Sequence, residues 1–375
     1  MKISALKEKI VSRIQGTGPI TFYEFMKMCL YDKELGYYKK PDRIGIKGDY
    51  ITSSHCSPLF SRLLVNQFIE FWELLGKGNF CLVEMGAGAG FSAKDILDYI
   101  RPHPFYEKIR YVIIEQNEAT KETHKRLLSD FLNKITWLDS LEDLNEFTGC
   151  VFSNELLDAF PVHVIQKDSS QFHEIYVDFN GRELCEKTGP LSSVALQEYV
   201  LNHVPSDLPN GYRTEVNLAI QPWLSAIAAR MISGFVLTID YGHSAKEFFD
   251  LSRNRGTLMS YVSHRTSEDL FACPGEQDIT AHVNFSDLNR VGLQLGFSTI
   301  GYAQQWAFLG SLDFEKTLKD TYPNLTPFSP EMAGIKMLIF PQGMGTSHKV
   351  MVQAKDVKIN GKIKGFLLQN RMDRL

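Results

Sequence analysis

Short apolar runs separated by helix-like stretches dominate the chain from about residue 78 onward. The apolar runs lie at Phe80–Met85, Tyr111–Glu115, Ile135–Leu138, Cys150–Ser153 and Phe235–Asp240. Between the early runs, Ser92–Ile100 and Glu118–Phe131 show helical periodicity. Strands that alternate with helices indicate βαβ units, so the pattern predicts an α/β fold with a doubly wound, mainly parallel sheet. The last strands are expected at Gly296–Gln304 and His348–Ala354.

The regions outside this alternation predict additional segments. Residues 19–75 look helical and loop-rich: Thr21 and Glu24 fit a capping box, and Ser57 followed by Pro58 predicts the start of a second helix. Strand-like and helical pieces between the fourth and fifth strands indicate an insertion. We therefore predict an N-terminal helical segment (1–77), a main domain (78–354) with an insertion (166–232), and a basic C-terminal tail (355–375), with a docked strand as the alternative for this last stretch.

The composition limits the classes of function. The chain has 375 residues, of which 44% are hydrophobic, enough for a large core. Its net charge of −4 creates no general basic field, so nucleic acid is not an expected partner. We find no apolar run of membrane-spanning length, no targeting pattern at the start, and no Cys-x-x-Cys pair among the six cysteines. These features predict a cytoplasmic protein without a membrane span.

The stretch FCLVEMGAGAG (80–90) has the form of a strand that ends in a ligand-binding turn. In open parallel sheets, ligands bind outside the carboxyl ends of the strands. A dinucleotide fingerprint requires glycine at the first, third and sixth positions, but after Gly86 and Gly88 the sixth position is Phe91. A triphosphate loop requires Gly-Lys-Ser/Thr, whereas Gly90 is followed by Phe91-Ser92. The spacing therefore disfavours both phosphate-binding interpretations.

Acidic residues close successive strands in a way that suits S-adenosylmethionine (SAM), which contains no phosphate. Glu84 is placed to attract the ammonium group of SAM, directly or through water. Glu115, after the second strand, is placed to accept both ribose hydroxyls, and Asp139-Ser140, after the third, could read the adenine edge. The recurrence of acids at three strand ends favours SAM over NAD, which remains an alternative.

Several longer blocks point to a family. In chain order they are GPITFYEFMKMCLYDKELGYY (18–38), GDYITSSHCSPLF (48–60), SNELLDAFPVH (153–163), RTEVN (213–217), TIDYG (238–242) and PGEQDITAHVNF (274–285). Together they resemble the MidA family of SAM-dependent methyltransferases, which includes the mitochondrial protein-arginine methyltransferase that assists assembly of respiratory complex I. The pair His55-Cys56 departs from the family pattern, where a small or acidic pair is usual.

The resemblance implies a class I methyltransferase with a seven-stranded sheet, SAM as cofactor and a protein substrate such as a respiratory-complex subunit. It assigns Asp49 and Thr52 to a loop that covers SAM, and it places Asn154 among the usual cofactor positions. The predicted cofactor contacts are Asp49, Thr52, Glu84, Gly86, Gly88, Gly90, Glu115, Asp139 and Asn154.

The segment VFSNELLDAFP (151–161) supplies acids beside the predicted cofactor. Methyl transfer from a sulfonium mainly requires positioning of the nucleophile, exclusion of water and handling of a proton. Carboxylates can pair with a guanidinium nucleophile and fix its plane. Glu155 and Asp158 are three residues apart, so a helical turn would place them on one face. We predict both as catalytic, with the alternative that they only complement a helix N-terminus.

Two further residues are candidates for catalysis. Asp240, after the fifth strand, is predicted either to hold the substrate or to cap a turn. His282, four residues after Asp278, is either a general base or a structural hydrogen-bonding group. The histidines and cysteines show no ligand spacing for zinc, so no metal is expected.

The leading prediction is a SAM-dependent methyltransferase that acts on an arginine of a protein. The alternatives left open are a small-molecule methyltransferase and a SAM-binding assembly factor with little turnover. A nicotinamide oxidoreductase is a further alternative, which a rise in melting temperature with NADH but not with SAM would favour.

Overall fold

The computed structural model describes residues 4–39, 52–262 and 265–375, which form two compact units. The first unit contains the described residues of 1–50, 157–222 and 245–283. The second contains the described residues of 51–156, 223–244 and 284–375. The chain therefore passes between the units several times, and each unit is built from segments that are distant in sequence.

The second unit contains the predicted sheet. Among the described residues, its main path has seven strands: β1 (Phe80–Met85), β2 (Ile109–Ile114), β3 (Ile135–Leu138), β4 (Phe147–Asn154), β5 (Met231–His243), β6 (Ser298–Gln304) and β7 (His348–Lys355). Their spatial order is β6-β7-β5-β4-β1-β2-β3. The neighbouring pairs among β1 to β5 are parallel, and β7 is antiparallel to both β5 and β6. The predicted doubly wound, mainly parallel, seven-stranded sheet is confirmed.

The strand order locates the ligand-binding edge. The chain begins in the middle of the sheet at β1, continues outward to β3, and then returns to the other side of β1 as β4. The order thus reverses between β1 and β4, and ligands of open α/β sheets bind outside the strand ends at such a switch point. The segments after β1 and β4 are the glycine turn and the acidic stretch that the sequence singled out.

Helices cover the sheet and bury its apolar strands. They are Ser53–Cys56, Pro58–Leu74, Phe91–Ile100, Phe105–Lys108, Glu118–Leu127, Ile220–Arg230 (mostly in this unit), Phe285–Gln294, Gln305–Gly310, Phe314–Thr321, Glu331–Ile339 and Met344–Ser347. The helix that begins at Pro58 starts as predicted, because the Ser57 hydroxyl accepts a hydrogen bond from Leu59 N–H at 3.1 Å. Its apolar face packs into the core of the sheet; Phe71, for example, stacks on Phe235 of β5 with ring centroids 3.9 Å apart.

The first unit has its own sheets and core. One sheet contains Ile20–Thr21, His163–Asp168, Gln171–Phe179, Leu184–Gly189 and Arg213–Val216, and a second contains Met259–Val262, Arg265–Ser267 and Asp278–Thr280. Its helices are Ala5–Thr17, Phe22–Tyr31, Val194–His203 and Ala245–Phe248. The predicted capping box is confirmed: Glu24 N–H donates to Thr21 Oγ1, and Thr21 N–H donates to Glu24 Oε2. Of the helices in the described ranges, none is both long and apolar enough to span a membrane.

The two units do not follow the predicted domain boundaries. The predicted N-terminal segment 1–77 is divided, because its described residues up to 39 belong to the first unit and those from 52 onward to the second. The insertion is joined in the first unit by residues 245–283, which the sequence assigned to the main domain. The predicted boundaries fail because they follow chain order, whereas a compact unit is defined by contacts between residues.

Of the two alternatives for the C-terminal stretch, the tail is wrong, because this stretch packs into the second unit. Ile363 and Phe366 are fully or almost fully buried in its core, and the Phe366 ring lies 5.3 Å from that of Phe308. The segment forms the 3-10 turns Lys364–Phe366 and Met372–Arg374. The basic composition obscured this docking, since only a few hydrophobic side chains pack against or within the core: Val357, Ile359, Ile363 and Phe366.

Replacing Phe366 by alanine should destabilise the protein by about 3–5 kcal/mol, because it removes a buried aromatic ring and leaves a cavity. The matched control is Leu367→Ala, whose side chain is 60% exposed and should change the free energy of unfolding by about 0.5 kcal/mol or less. Urea unfolding of both variants measures the difference. Equal stability of the two variants would contradict a docked C-terminal segment.

Candidate functional site

The turn after β1 has a backbone that only glycine adopts readily. Gly86, Gly88 and Gly90 have φ angles of 74°, 54° and 85°, all in the left-handed region. Gly90 N–H donates to Ala87 O at 2.8 Å, and the next residue begins the helix Phe91–Ile100. A side chain at Gly88 would meet no described atom within 4 Å, so open space lies above the turn. This arrangement allows a ligand to approach the backbone closely.

A buried histidine supports the turn from below. His124 is fully buried, and its Nε2 lies 2.8 Å from Gly88 O. A Cβ atom at Gly90 would approach His124 Cδ2 to 3.0 Å, so the ring and the glycine are closely packed. No local pattern indicates this contact, because His124 lies on the helix Glu118–Leu127, more than thirty residues from the glycines.

Gly90→Ala should destabilise the protein and weaken SAM binding. A left-handed alanine costs about 1–2 kcal/mol, and the added methyl group would also displace the ring that holds Gly88 O. Gly76→Ala is the matched control, because Gly76 has φ 82° but no described atom within 4 Å of the added Cβ. We expect similar backbone strain in both variants and reduced SAM affinity only for Gly90→Ala, measured by urea unfolding and calorimetry. Unchanged affinity in Gly90→Ala would contradict a cofactor at this turn.

Glu84, two residues before Gly86, is a buried carboxylate. Its side chain lies in β1, is 4% exposed, and accepts a hydrogen bond from Tyr111 Oη at 2.7 Å. Burial raises the pKa of Glu84 to about 7, although the Tyr111 hydrogen bond acts in the opposite direction. Such a carboxylate is poised to ionise when a cation binds beside it, which suits the predicted role toward the ammonium group of SAM.

The acids after β2 and β3 are accessible. Glu115 is half-buried, and its Oε1 accepts a hydrogen bond from Asn117 N–H at 2.7 Å, which fixes the carboxylate at the end of β2. Asp139 has a side chain that is 68% exposed and pairs with Lys121 Nζ. The roles of Glu115 toward the ribose and Asp139 toward the adenine stay predictions. Lys121 was not among the predicted site residues. Any contact of Asp139 with adenine would have to accommodate its ion pair with Lys121.

Thr52 begins a short segment that reaches the glycine turn. Its Oγ1 lies 2.7 Å from His55 Nδ1 and 3.0 Å from Ser54 Oγ. The His55 ring contacts the edge of Phe91, the first residue of the helix after Gly90, at 5.0 Å. Thr52 is thus linked through His55 to the helix that follows the glycine turn, and its contact with SAM stays a prediction. The other predicted residue of that loop, Asp49, lies outside the described residues.

Glu155 follows β4 and is held by one of its two oxygens. Oε1 accepts hydrogen bonds from Ser53 N–H at 3.1 Å and from Asn154 Nδ2 at 3.0 Å. Oε2 makes no hydrogen bond or ion pair with a described residue. The side chain is 4% exposed, so the carboxylate is largely withdrawn from water. One oxygen thus anchors the group while the other is available for a ligand.

Asn154 carries a second unused acceptor at the same position. Its Nδ2 donates to Glu155, whereas its Oδ1 is buried and has no hydrogen-bond partner among the described residues. A buried amide oxygen without a donor is unfavourable unless a ligand supplies one. The ammonium group of SAM is such a donor, in agreement with the predicted cofactor contact.

The predicted helical face shared by Glu155 and Asp158 is wrong. Glu155 has φ 54° and donates its N–H to Ile239 O, so the chain leaves β4 through a left-handed residue. The 3-10 turn Leu157–Ala159 begins only two residues later. Asp158 lies in that turn and belongs to the first unit, whereas Glu155 belongs to the second. The i, i+3 rule fails because it requires continuous helical backbone.

Asp158 and His282 come together within the first unit. Asp158 is 4% exposed, and its carbonyl accepts a hydrogen bond from Ala281 N–H at 2.9 Å. The following residue, His282, is half-buried and donates its backbone N–H to Thr257 Oγ1 at 2.9 Å. Their catalytic roles stay predictions.

Asp240 lies in β5, three residues before the strand ends, and is fully buried in the second unit. Its Oδ2 accepts a hydrogen bond from Leu156 N–H at 3.2 Å, and its Oδ1 accepts one from Tyr241 N–H at 2.8 Å. These contacts agree with the turn-capping alternative, since both oxygens hold backbone around β4 and β5. A role in holding the substrate stays a prediction.

The donor set fits SAM better than a metal ion. Three parts of SAM match these features: the left-handed glycines and the open space above Gly88 suit its phosphate-free methionine portion, Glu115 suits its ribose, and Glu84 and the unpaired Asn154 Oδ1 suit its ammonium group. Within the described ranges, no cluster of three or more His, Cys, Asp or Glu side chains is arranged to hold a metal ion.

Comparisons with known proteins bear on the family, the fold and the cofactor. A sequence model of S-adenosyl-L-methionine-dependent methyltransferases matches residues 63–303. The chain is 27% identical over 378 residues to the mitochondrial protein arginine methyltransferase NDUFAF7 of Mus musculus, covering 92% of this chain and 83% of the relative. It is 28% identical over 351 residues to the Caenorhabditis elegans homologue, covering 85% of this chain and 78% of the relative.

A solved structure shows the same architecture. A COG1565 superfamily member from Burkholderia thailandensis, crystallised with S-adenosylhomocysteine, is 28% identical and superimposes with a TM-score of 0.89, covering 99% of this chain and 96% of that chain. These findings confirm the MidA resemblance, the class I methyltransferase fold and SAM as cofactor. The chain belongs to the family of S-adenosyl-L-methionine-dependent methyltransferases.

Proposed function

We propose that this chain transfers methyl groups from SAM to an arginine side chain of a protein substrate. The observation that carries the proposal is the Glu155 carboxylate, whose Oε1 is anchored by two N–H donors while Oε2 has no described partner. A guanidinium presents N–H groups in a planar fork that a carboxylate matches. The relatives named above, protein arginine methyltransferases of mouse and worm, support the same acceptor.

Bound SAM supplies an electrophilic methyl group on its sulfonium. The chain has to hold the acceptor nitrogen in line with that group, exclude water and take up one proton for each methyl group transferred. A guanidinium paired with Glu155 has its plane fixed and its positive charge drawn toward the carboxylate. The nitrogen that points away becomes the better nucleophile, and Glu155 is within reach of the departing proton.

The other candidate catalytic residues are less suitable for mutagenesis. Both oxygens of Asp240 accept backbone N–H groups, so its replacement would disturb the turn as well as any substrate contact. In the first unit, the Asp158 carbonyl accepts a hydrogen bond from Ala281 N–H, and His282 N–H donates to Thr257 Oγ1, so both residues also support the local backbone. Glu155 is therefore the residue whose chemistry can be altered with the least structural change.

Incubation with labelled SAM and a panel of proteins that includes respiratory-complex subunits tests the proposal, followed by mass spectrometry of the labelled residue. We expect methylarginine. The matched control is the same substrate with the modified arginine replaced by lysine, which keeps the charge but removes the guanidinium. Labelled lysine, a labelled small molecule, or tight SAM binding without any product would each contradict the proposal.

A further inference from the structure

A buried histidine that the predicted site does not use begins β7. Because β7 is antiparallel to β5, its first residue, His348, pairs in register with Tyr241 near the end of β5. The amino end of an antiparallel strand and the carboxyl ends of its parallel neighbours lie at the same edge of a sheet. His348 is thereby delivered to the edge that carries Glu155.

The two side chains face each other inside the second unit. His348 Nε2 lies 3.6 Å from Glu155 Oε1, and the two side chains are 0% and 4% exposed. Nε2 has no hydrogen-bond partner among the described residues. The separation is longer than a formed hydrogen bond, but catalytic hydrogen bonds often tighten only when the substrate is bound. The Tyr241 ring packs on the imidazole with centroids 4.0 Å apart, which limits its rotation.

The other ring nitrogen contacts a serine hydroxyl. Nδ1 of His348 lies 3.2 Å from Ser347 Oγ, which also lies 3.4 Å from Gly343 O, and the single hydroxyl proton can be donated to either acceptor. In a neutral imidazole, the nitrogen that accepts a hydrogen bond leaves the other nitrogen to carry the proton. When the hydroxyl donates to Nδ1, Nε2–H is directed at the carboxylate, and Ser347, His348 and Glu155 form one chain of donors and acceptors.

We propose that His348 is a positioning residue for Glu155: its Nε2–H acts as a third donor to Oε1 and keeps Oε2 directed at the acceptor. All described contacts of the carboxylate converge on Oε1, from Ser53, Asn154 and His348. Three donors on one oxygen fix the plane of the carboxylate. The inference rests on the proposed function in one respect, namely that Glu155 receives the acceptor.

Other titratable groups surround the pair and bear on any pH dependence. The helix Ser53–Cys56 contributes His55, whose pKa is lowered by burial, and Cys56, whose pKa is raised by burial to about 12. β5 contributes Asp240, which accepts Leu156 N–H, and the phenol of Tyr241. Variants of His348 leave all of these groups in place, so a change in pH profile reports on the contact with Glu155.

His348→Leu and His348→Gln test the inference on the substrate that the parent protein methylates. The leucine variant removes the donor, and we expect kcat to fall on the order of tenfold or more, with KM for SAM little changed. The acidic limb of its pH–rate profile should move to higher pH, because the ionised carboxylate has lost a donor. The glutamine amide can donate from a similar position, so His348→Gln should restore most of the rate and the parent's acidic limb.

His163→Leu is the matched control, since it removes another buried histidine–carboxylate contact, His163 Nδ1 to Glu174 Oε1 at 2.7 Å, in the first unit. It should lower the melting temperature without moving the acidic limb.

Calorimetric SAM binding confirms that each His348 variant is folded. Identical pH profiles and kcat for His348→Leu and the parent would overturn this inference alone, whereas absence of methylarginine with the parent protein would overturn the proposed function. A leucine variant that loses activity without rescue by glutamine would also overturn it, since the imidazole would then be structural.

Discussion

Glu155→Gln should lower kcat for protein methylation by about 100-fold or more, while SAM affinity stays close to that of the parent protein. The amide keeps the size of the side chain, and its oxygen can still accept from Ser53 N–H and the Asn154 amide. It carries no charge for a guanidinium and does not take up its proton. Single-turnover kinetics with labelled SAM measure the chemical step, and calorimetry measures SAM binding.

A matched control separates this effect from a general loss of charge. Glu122→Gln makes the same chemical change in the same unit, at a side chain that is 62% exposed and pairs only with Lys125 nearby on its own helix. Its rate should equal that of the parent. If Glu155→Gln methylates as fast as the parent at an unchanged melting temperature, Glu155 does not receive the acceptor, and Asp158→Asn becomes the decisive variant.

Glu84→Gln should have opposite effects on stability and on SAM binding. In the unfolded chain the carboxyl group ionises near its ordinary pKa of 4.5, whereas in the folded protein burial raises the pKa to about 7. Between these values the folded state binds more protons, so its stability falls as pH rises. Above the folded pKa the penalty reaches about 3 kcal/mol, and the glutamine variant escapes it. Relative to the parent, the variant should therefore gain stability from pH 5 to pH 8.

The same substitution removes the charge that attracts the ammonium group of SAM. We expect SAM affinity to fall on the order of tenfold to a hundredfold, as for the loss of a charge-assisted hydrogen bond. In the parent, affinity should also weaken as pH drops below 7, because protonated Glu84 must ionise before it can pair. Urea unfolding at both pH values and calorimetry with SAM give the two measurements.

Asp95→Asn is the control for Glu84. Burial raises the pKa of Asp95 to about 6, so this variant should also gain stability toward high pH, but Asp95 lies outside the predicted cofactor contacts. Its SAM affinity should not change. A Glu84→Gln variant that binds SAM as tightly as the parent would show that this buried acid is structural.

The part of the fold that follows local patterning could be predicted from the sequence. β1 and β3 have the predicted bounds, and the other predicted strands of the sheet differ only at their ends, because buried parallel strands are short apolar runs with clear borders. The glycine turn could be predicted as well, since left-handed backbone favours glycine and the glycines are visible in the sequence. Both features are encoded within about ten residues of chain.

The features that were missed depend on backbone or contacts that local patterning does not encode. Glu155 adopts φ 54° without being glycine, so a helical turn was expected where the chain reverses its twist. His348 meets Glu155 across nearly two hundred residues of sequence, and nothing near His348 indicates a partner. The docking of Phe366 and the assembly of the first unit from distant segments are long-range in the same way.

A structure of this protein with S-adenosylhomocysteine tests the central claim most directly. We predict that the ribose hydroxyls bind Glu115, that the amino group lies by Glu84 and Asn154 Oδ1 above the glycine turn, and that Glu155 Oε2 faces the sulfur from the open side. A ligand that binds away from Gly86–Gly90, or a Glu155 carboxylate that is directed away from the sulfur, would contradict the account.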